Sequence, residues 1–191
     1  MYSIMAGLLI GIGGILNLRL GGIAGAVYFS LGLLAILHFK FELFTGKAGL
    51  LATNQITWQK LAGVWGGNFI GTSLAAVGYL FTPQGVETYG NAMTIVANKV
   101  AAGPLENLIL GVFCGLLMYI AVTGYNETGN AIFVALPVSA FILCGFNHCV
   151  ADMFYLAMGG VHITDWLILI PITIGNIIGC CAIPVVKSFP N

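Results

Sequence analysis

The chain has 191 residues, of which 59% are hydrophobic and only 6% charged, whereas a soluble fold carries roughly a quarter of its residues as charges to cover its surface. Six basic and six acidic residues balance to a net charge of zero, which gives no reason to expect a nucleic acid partner. The composition describes one domain immersed in a lipid bilayer and excludes a separate soluble one.

A helix crosses a bilayer with about 20 mostly apolar residues, and six stretches fit. The first runs from about Tyr2 to Asn17 and is short. Nothing basic precedes its apolar run, which continues past any plausible cleavage point, so it reads as a span and not a cleaved leader. The second occupies about Gly21 to Thr53, the third Lys60 to Phe81, the fourth Leu105 to Thr123, the fifth Ala131 to Met158 and the sixth Trp166 to Lys187. Only the connection from Thr82 to Pro104 is long, and its apolar run Ala92 to Ala97 suggests a stretch lying partly on the membrane surface. The cysteines (Cys114, Cys144, Cys149, Cys180, Cys181) fall inside apolar segments with no CxxC spacing and read as small buried residues, with no disulfide or metal role. An even number of spans puts both termini on one side. Lys60 and Lys187 on that side balance Arg19 and Lys99 on the other, so charge asymmetry does not orient the chain.

The second and fifth segments are too long for single spans, and polar residues interrupt each one: HFKFELFTGK from His38 to Lys47, and CGFNHCVAD from Cys144 to Asp152. Polar groups at membrane depth are costly and face a cavity or the bundle interior. Non-helical backbone is tolerated there only where protein or water satisfies it. Both segments therefore read as broken helices. GNFIG (Gly67 to Gly71) in the third span recurs as GNIIG (Gly175 to Gly179) in the sixth. Three spans per half is an odd number, so the second half enters the membrane inverted. Paired breaks in inverted halves point to a translocation site near the midplane, although small-residue motifs of this kind also serve plain helix packing.

The break of the second half holds His148, whose imidazole can offer an N–H to an anion or exchange a proton with it. Aligning ELFTGKAGLLA with NHCVADMFYLA sets Lys47 against Asp152. A single buried charge there is expensive and an opposite one offsets it, so a salt bridge between Lys47 and Asp152 is expected.

The segments YFSLGLLAILHFKFELFTG, ITWQKLAGVWGGNFIGTSLAA, ALPVSAFILCGFNHCVADMFYLAMG and IPITIGNIIGC resemble those of the formate/nitrite transporter family over nearly the whole chain. The resemblance implies an all-α membrane fold of six helices in an inverted 3+3 arrangement, with the second and fifth helices broken. It implies a homopentamer with one pore per protomer, in the inner (plasma) membrane with cytoplasmic termini, and no cofactor. The cargo it implies is a small monovalent anion or its acid, such as formate, nitrite, hydrosulfide or lactate. It further implies that His148 is the central histidine and Thr45 the threonine of the first break, a position that also suits a helix cap. Apolar constrictions are implied at Phe29, Leu33, Phe44 and Phe141, and a pore-facing asparagine at Asn176. The chain departs from the family where a common lysine falls on Asn130, a glutamate on Asn147 and an asparagine on Asp152. Lys40 and Lys47 stand at usually uncharged positions. Lys40 either concentrates anions at a pore mouth or snorkels to the interface.

Two other classes compete. An aquaporin-like channel for a neutral solute shares inverted halves, but it carries paired Asn-Pro-Ala signatures that this chain lacks. A haem-bearing membrane anchor needs paired histidines, for which His38 and His148 are the candidates. No cluster of carboxylates, metal ligands or nucleophile with base supports an enzyme.

Overall fold

The computed structural model describes residues 1–159 and 162–189, and among the described residues the regular structure is entirely helical. Helix α1 (Tyr2–Leu20) turns sharply into α2 (Gly22–His38) at Gly21 and Gly22, whose φ angles of 62° and 50° suit residues without a Cβ. A short helix α3 (Phe44–Ala48) follows, then α4 (Trp58–Leu80), whose first turn is capped where Thr57 Oγ1 accepts from Lys60 N at 3.3 Å. Beyond these come α5 (Pro83–Thr128), α6 (Ile132–Leu143), α7 (Cys149–Gly159) and α8 (Leu169–Ser188), the last led in by a 3-10 turn over Ile163–Ile168. By length and composition α1, α5 and the run Ile163–Ser188 can each cross a membrane, while α2, α6 and α7 are shorter apolar pieces.

The stretch expected as a long connection, Thr82 to Pro104, is instead helical. Thr82 caps it, accepting from Gly85 N at 3.1 Å, and Pro83 occupies the first turn, where a missing N–H costs nothing. The helix breaks only at Gly103 (φ 77°, ψ 176°), because Pro104 has no N–H to donate and disfavours helical geometry at the residue before it. The carbonyls freed by that kink are satisfied by Asn107, whose Nδ2 donates to Lys99 O at 2.7 Å and Gly103 O at 2.8 Å.

The two expected breaks are present and are built alike. α2 closes with Phe41 N donating to Ile36 O, and α6 closes with Phe146 N donating to Phe141 O. The residue just before each donor lies in the left-handed region: Lys40 (φ 58°) in one break and Gly145 (φ 71°) in the other. The helices carrying the repeated GN motif cross their neighbours closely. α4 packs on α1 and α8 on α5. A Cβ at Gly71 would collide with the Ile4 carbonyl, and one at Gly179 with that of Val112. The motif is thus both a packing device and one half of a repeated pair.

Candidate functional site at the paired helix breaks

Asn68 and Asn176, the asparagines of the two GN motifs, hold the short helices in place. Asn68 Oδ1 accepts from Phe44 N at 2.8 Å, and its Nδ2 donates to Ser3 O at 2.7 Å and Glu42 O at 2.9 Å. Asn176 Oδ1 accepts from Cys149 N at 2.8 Å, and its Nδ2 donates to Gly111 O and Asn147 O, both at 2.8 Å. Each asparagine therefore satisfies the first backbone N–H of a short helix, one of the donors a helix start leaves without a partner. Asn176 was expected to face the substrate. Both of its amide hydrogens and its oxygen are engaged in the fold, and it is fully buried. It is a clamp.

The clamps bring the starts of α3 and α7 together, with Thr45 Oγ1 2.8 Å from His148 Nε2 and both residues buried. Ala151 N donates to His148 Nδ1 at 3.1 Å. A backbone N–H can only donate, so Nδ1 carries the lone pair and the neutral ring bears its proton on Nε2. That N–H points at Thr45 Oγ1, which leaves the threonine hydroxyl hydrogen free to donate elsewhere. With both ring nitrogens committed, His148 has no lone pair for haem iron, and His38 lies exposed against Phe39.

The ring of Phe141 stacks on His148 at 5.6 Å, and Phe29 meets Phe141 edge-on at 5.8 Å. Phe29, Leu33 and Phe141 are all buried, so the polar pair is walled by apolar groups on that side. Phe44, expected among the constrictions, lines an apolar groove of about 460 Å³ between α4 and α8, together with Trp58, Trp65 and Trp166. Leu43, the equivalent of His148 in the first break, lines the cavity on the α3 side instead.

Two cavities flank the breaks. One, of about 290 Å³, holds Lys40 and Lys47 with Asn126 and, among the described residues, no acidic one in its wall. The other, of about 230 Å³, holds Lys99, Asp152, Asn17 and Tyr155 beside Phe141. The expected bridge between Lys47 and Asp152 does not form. The aligned residues do occupy equivalent places, each the fourth of its short helix. But those helices meet at their starts, and their fourth residues open onto separate cavities. Asp152 Oδ1 pairs instead with Lys99 Nζ at 3.0 Å, and Lys99 Nζ also donates to Asn147 Oδ1. Asn147 Nδ2 in turn donates to Asn107 Oδ1 at 2.7 Å. Asn130, expected to replace a lysine of the site, lies exposed after α5, where its Oδ1 accepts from Ile132 N at 3.0 Å. The lysine that reaches the site is Lys99. Sequence reasoning missed both it and Asn107; the available signals were a lone cation at the end of an apolar run and the Gly-Pro step just after it.

Comparisons with known proteins agree with this architecture. The family model described as formate/nitrite transporter matches residues 1–188. The formate channel FocA of Escherichia coli K12 is 29% identical over 82% of this chain and 69% of its own length. A probable formate transporter of Methanothermobacter thermautotrophicus is 27% identical over 93% and 82%. A solved pentameric formate channel with formate bound superposes with a TM-score of 0.83 at 26% identity, covering 98% of this chain and 93% of that one.

Proposed function

This chain belongs to the formate/nitrite transporter family, and from that premise we propose that it conducts small monovalent anions of the formate class, with nitrite and hydrosulfide as further candidates, in step with a proton. It acts as six spans in an inverted 3+3 arrangement and as a pentamer with one pore per protomer. It resides in the inner (plasma) membrane with both termini cytoplasmic. The observation that carries the reading is the buried Thr45–His148 pair at the junction of two helix starts.

An ion in hydrocarbon is prohibitively costly, whereas a neutral acid is not. The apolar wall of Phe29, Leu33 and Phe141 therefore favours passage as the acid. Between the walls the Thr45 hydroxyl, and the His148 N–H once it turns from Thr45, can hold a carboxylate oxygen while its proton is gained or lost. His148 serves in this reading as a neutral donor: a cationic ring would need a proton on Nδ1 and would break the bond from Ala151.

The test is uptake of radiolabelled formate, nitrite and hydrosulfide into proteoliposomes. Uptake above protein-free vesicles, accompanied by one proton per anion, is the expected result. Vesicles no more permeable to any of the three than lipid alone would overturn the reading.

A further inference from the structure

We propose that the cavity beside the first helix break is a receptor for a small divalent oxyanion, held between the ammonium groups of Lys40 and Lys47, and that a dianion seated there blocks the pore. The inference rests on the functional reading above and goes beyond it, because it names a ligand that the pore binds and does not conduct.

The two cavities that flank the breaks are counterparts. Ile36, Lys40 and Lys47 in the wall of one stand 105 positions before Phe141, Gly145 and Asp152 in the wall of the other, the same spacing that aligns the two breaks. Their charges differ. In the second cavity Lys99 is balanced by Asp152 at 3.0 Å. In the first, both charged positions are lysines, and neither enters an ion pair among the described residues. Glu42, in the same break, is turned to Lys60 at 3.5 Å. Glu127, next to Asn126 on α5, and His38 on α2 are exposed and are not part of the wall.

Lys40 gives a second, independent sign. It stands at φ 58°, where its counterpart Gly145 stands at 71°. Glycine takes that conformation without strain and a side chain does not. Residues held in such conformations cluster at binding sites and switch regions, and this one sends its cation into the cavity wall.

The wall offers donors almost exclusively. Each ammonium has three N–H groups and no acceptor, and the Asn126 amide adds two donors and one acceptor. Lys40 is exposed and Lys47 half-buried, so a solute arriving from water reaches both. The matching ligand has acceptors only and two negative charges, as oxalate and sulfate have. A monovalent anion would leave one of two like charges unbalanced in the same cavity, where they repel. At about 290 Å³ the cavity is roughly ten times the volume that a water molecule occupies in the liquid, which gives room for oxalate.

A dianion cannot follow the cargo. One proton makes formate neutral, whereas oxalate needs two, and an ion at the apolar wall of Phe29, Leu33 and Phe141 is prohibitively costly. It stays at the mouth.

Oxalate is the probe, with formate as the monovalent comparison. Titration calorimetry of the purified wild-type protein should give an oxalate Kd about tenfold or more below that of formate, the scale of one further hydrogen bond to a charged group. Lys47→Asn should weaken oxalate by about tenfold, and Lys40→Gly, which removes an exposed charge, by about threefold. Sulfate titrated alongside identifies the ligand: affinity like that of oxalate assigns a compact dianion, oxalate alone a dicarboxylate, and neither overturns the proposal. In proteoliposomes with oxalate on both faces, wild-type formate uptake should be inhibited and oxalate itself should not be taken up. The Lys40→Gly/Lys47→Asn double variant should escape inhibition. Oxalate bound no tighter than formate, undiminished oxalate affinity in the double variant, or bound oxalate that leaves uptake unchanged would each overturn the proposal. If proteins carrying Lys47→Asn do not assemble, Lys40→Gly alone decides, and undiminished oxalate affinity there counts equally against the site. If wild-type vesicles take up no formate at all, the functional reading and the block fail together, and the calorimetry still decides the receptor.

Discussion

Asn68 and Asn176, 108 positions apart in the sequence, make the same three bonds: one accepted from the first N–H of a short helix, one donated to the carbonyl two residues before that N–H, and one donated to the helix packed alongside. A buried donor or acceptor without a partner costs about 1–3 kcal/mol. Each asparagine thus guards three such groups.

Asn176→Leu should accordingly destabilise the protein by several kcal/mol, and Asn68→Leu by a similar amount. Asn176→Asp, which keeps the acceptor for Cys149 N but loses both donors, should lie between wild type and Asn176→Leu. Thermal unfolding in detergent gives the order. A mild Asn176→Leu with normal stability but altered selectivity would return Asn176 to the substrate path.

His148→Phe should fold, since Phe141 already stacks on the ring it replaces, and should still assemble. Formate uptake should fall by about tenfold or more, the scale of one hydrogen bond to a charged partner. Uptake measured across a pH series, beside a native mass measurement, separates the outcomes. Unchanged flux means that the imidazole only packs.

The Lys99–Asp152 pair should show coupling in a double-mutant cycle, and Lys47 should show none. Lys99→Met strands a carboxylate that is 2% exposed and should cost roughly 3–5 kcal/mol, the scale for breaking a buried pair. Asp152→Asn should cost less, because Lys99 keeps Asn147 and faces the cavity. The double variant should recover part of the loss, whereas Lys47→Asn and Asp152→Asn should simply add. Simple additivity for Lys99 and Asp152 would mean that the pair contributes nothing to the fold.

Lys40 occupies a left-handed position where the other break has Gly145, and a side chain there costs roughly 1–2 kcal/mol. Lys40→Gly should raise the unfolding temperature, and Gly145→Ala should lower it. A Lys40→Gly protein less stable than wild type would show that the lysine contributes contacts exceeding that strain.

Much of this architecture was legible in the sequence, because its signals are local. Polar residues interrupting apolar runs gave both breaks, and the alignment of residues 42–47 with 147–152 matches the bonds that the two asparagines make and the first backbone bond of each short helix. What the sequence concealed was direction. Equivalence in the alignment did not say that Lys47 and Asp152 would open onto different cavities. Lys99 was concealed for another reason. Its stretch lacks the strong apolar character of a span, so it read as connection, and its bonds to Asp152 and Asn147 show why a cation belongs there. Asn130 was misplaced because a turn position says nothing about distance from the site.

The segment of α5 before Gly103 is fastened at both ends, and unequally. Near its start Glu87 meets Arg19 at 2.7 Å in the open, with side chains 66% and 40% exposed. Pairs of that kind hold with about 0–1 kcal/mol and loosen as salt is added. Toward its end Lys99 is locked against Asp152 away from solvent, and just beyond lies a joint that the Gly-Pro step has already bent. The segment is therefore a strut with one soft fastening and one hard one. Ionic strength loosens the outer end first, leaving the inner end and the cation it carries in register.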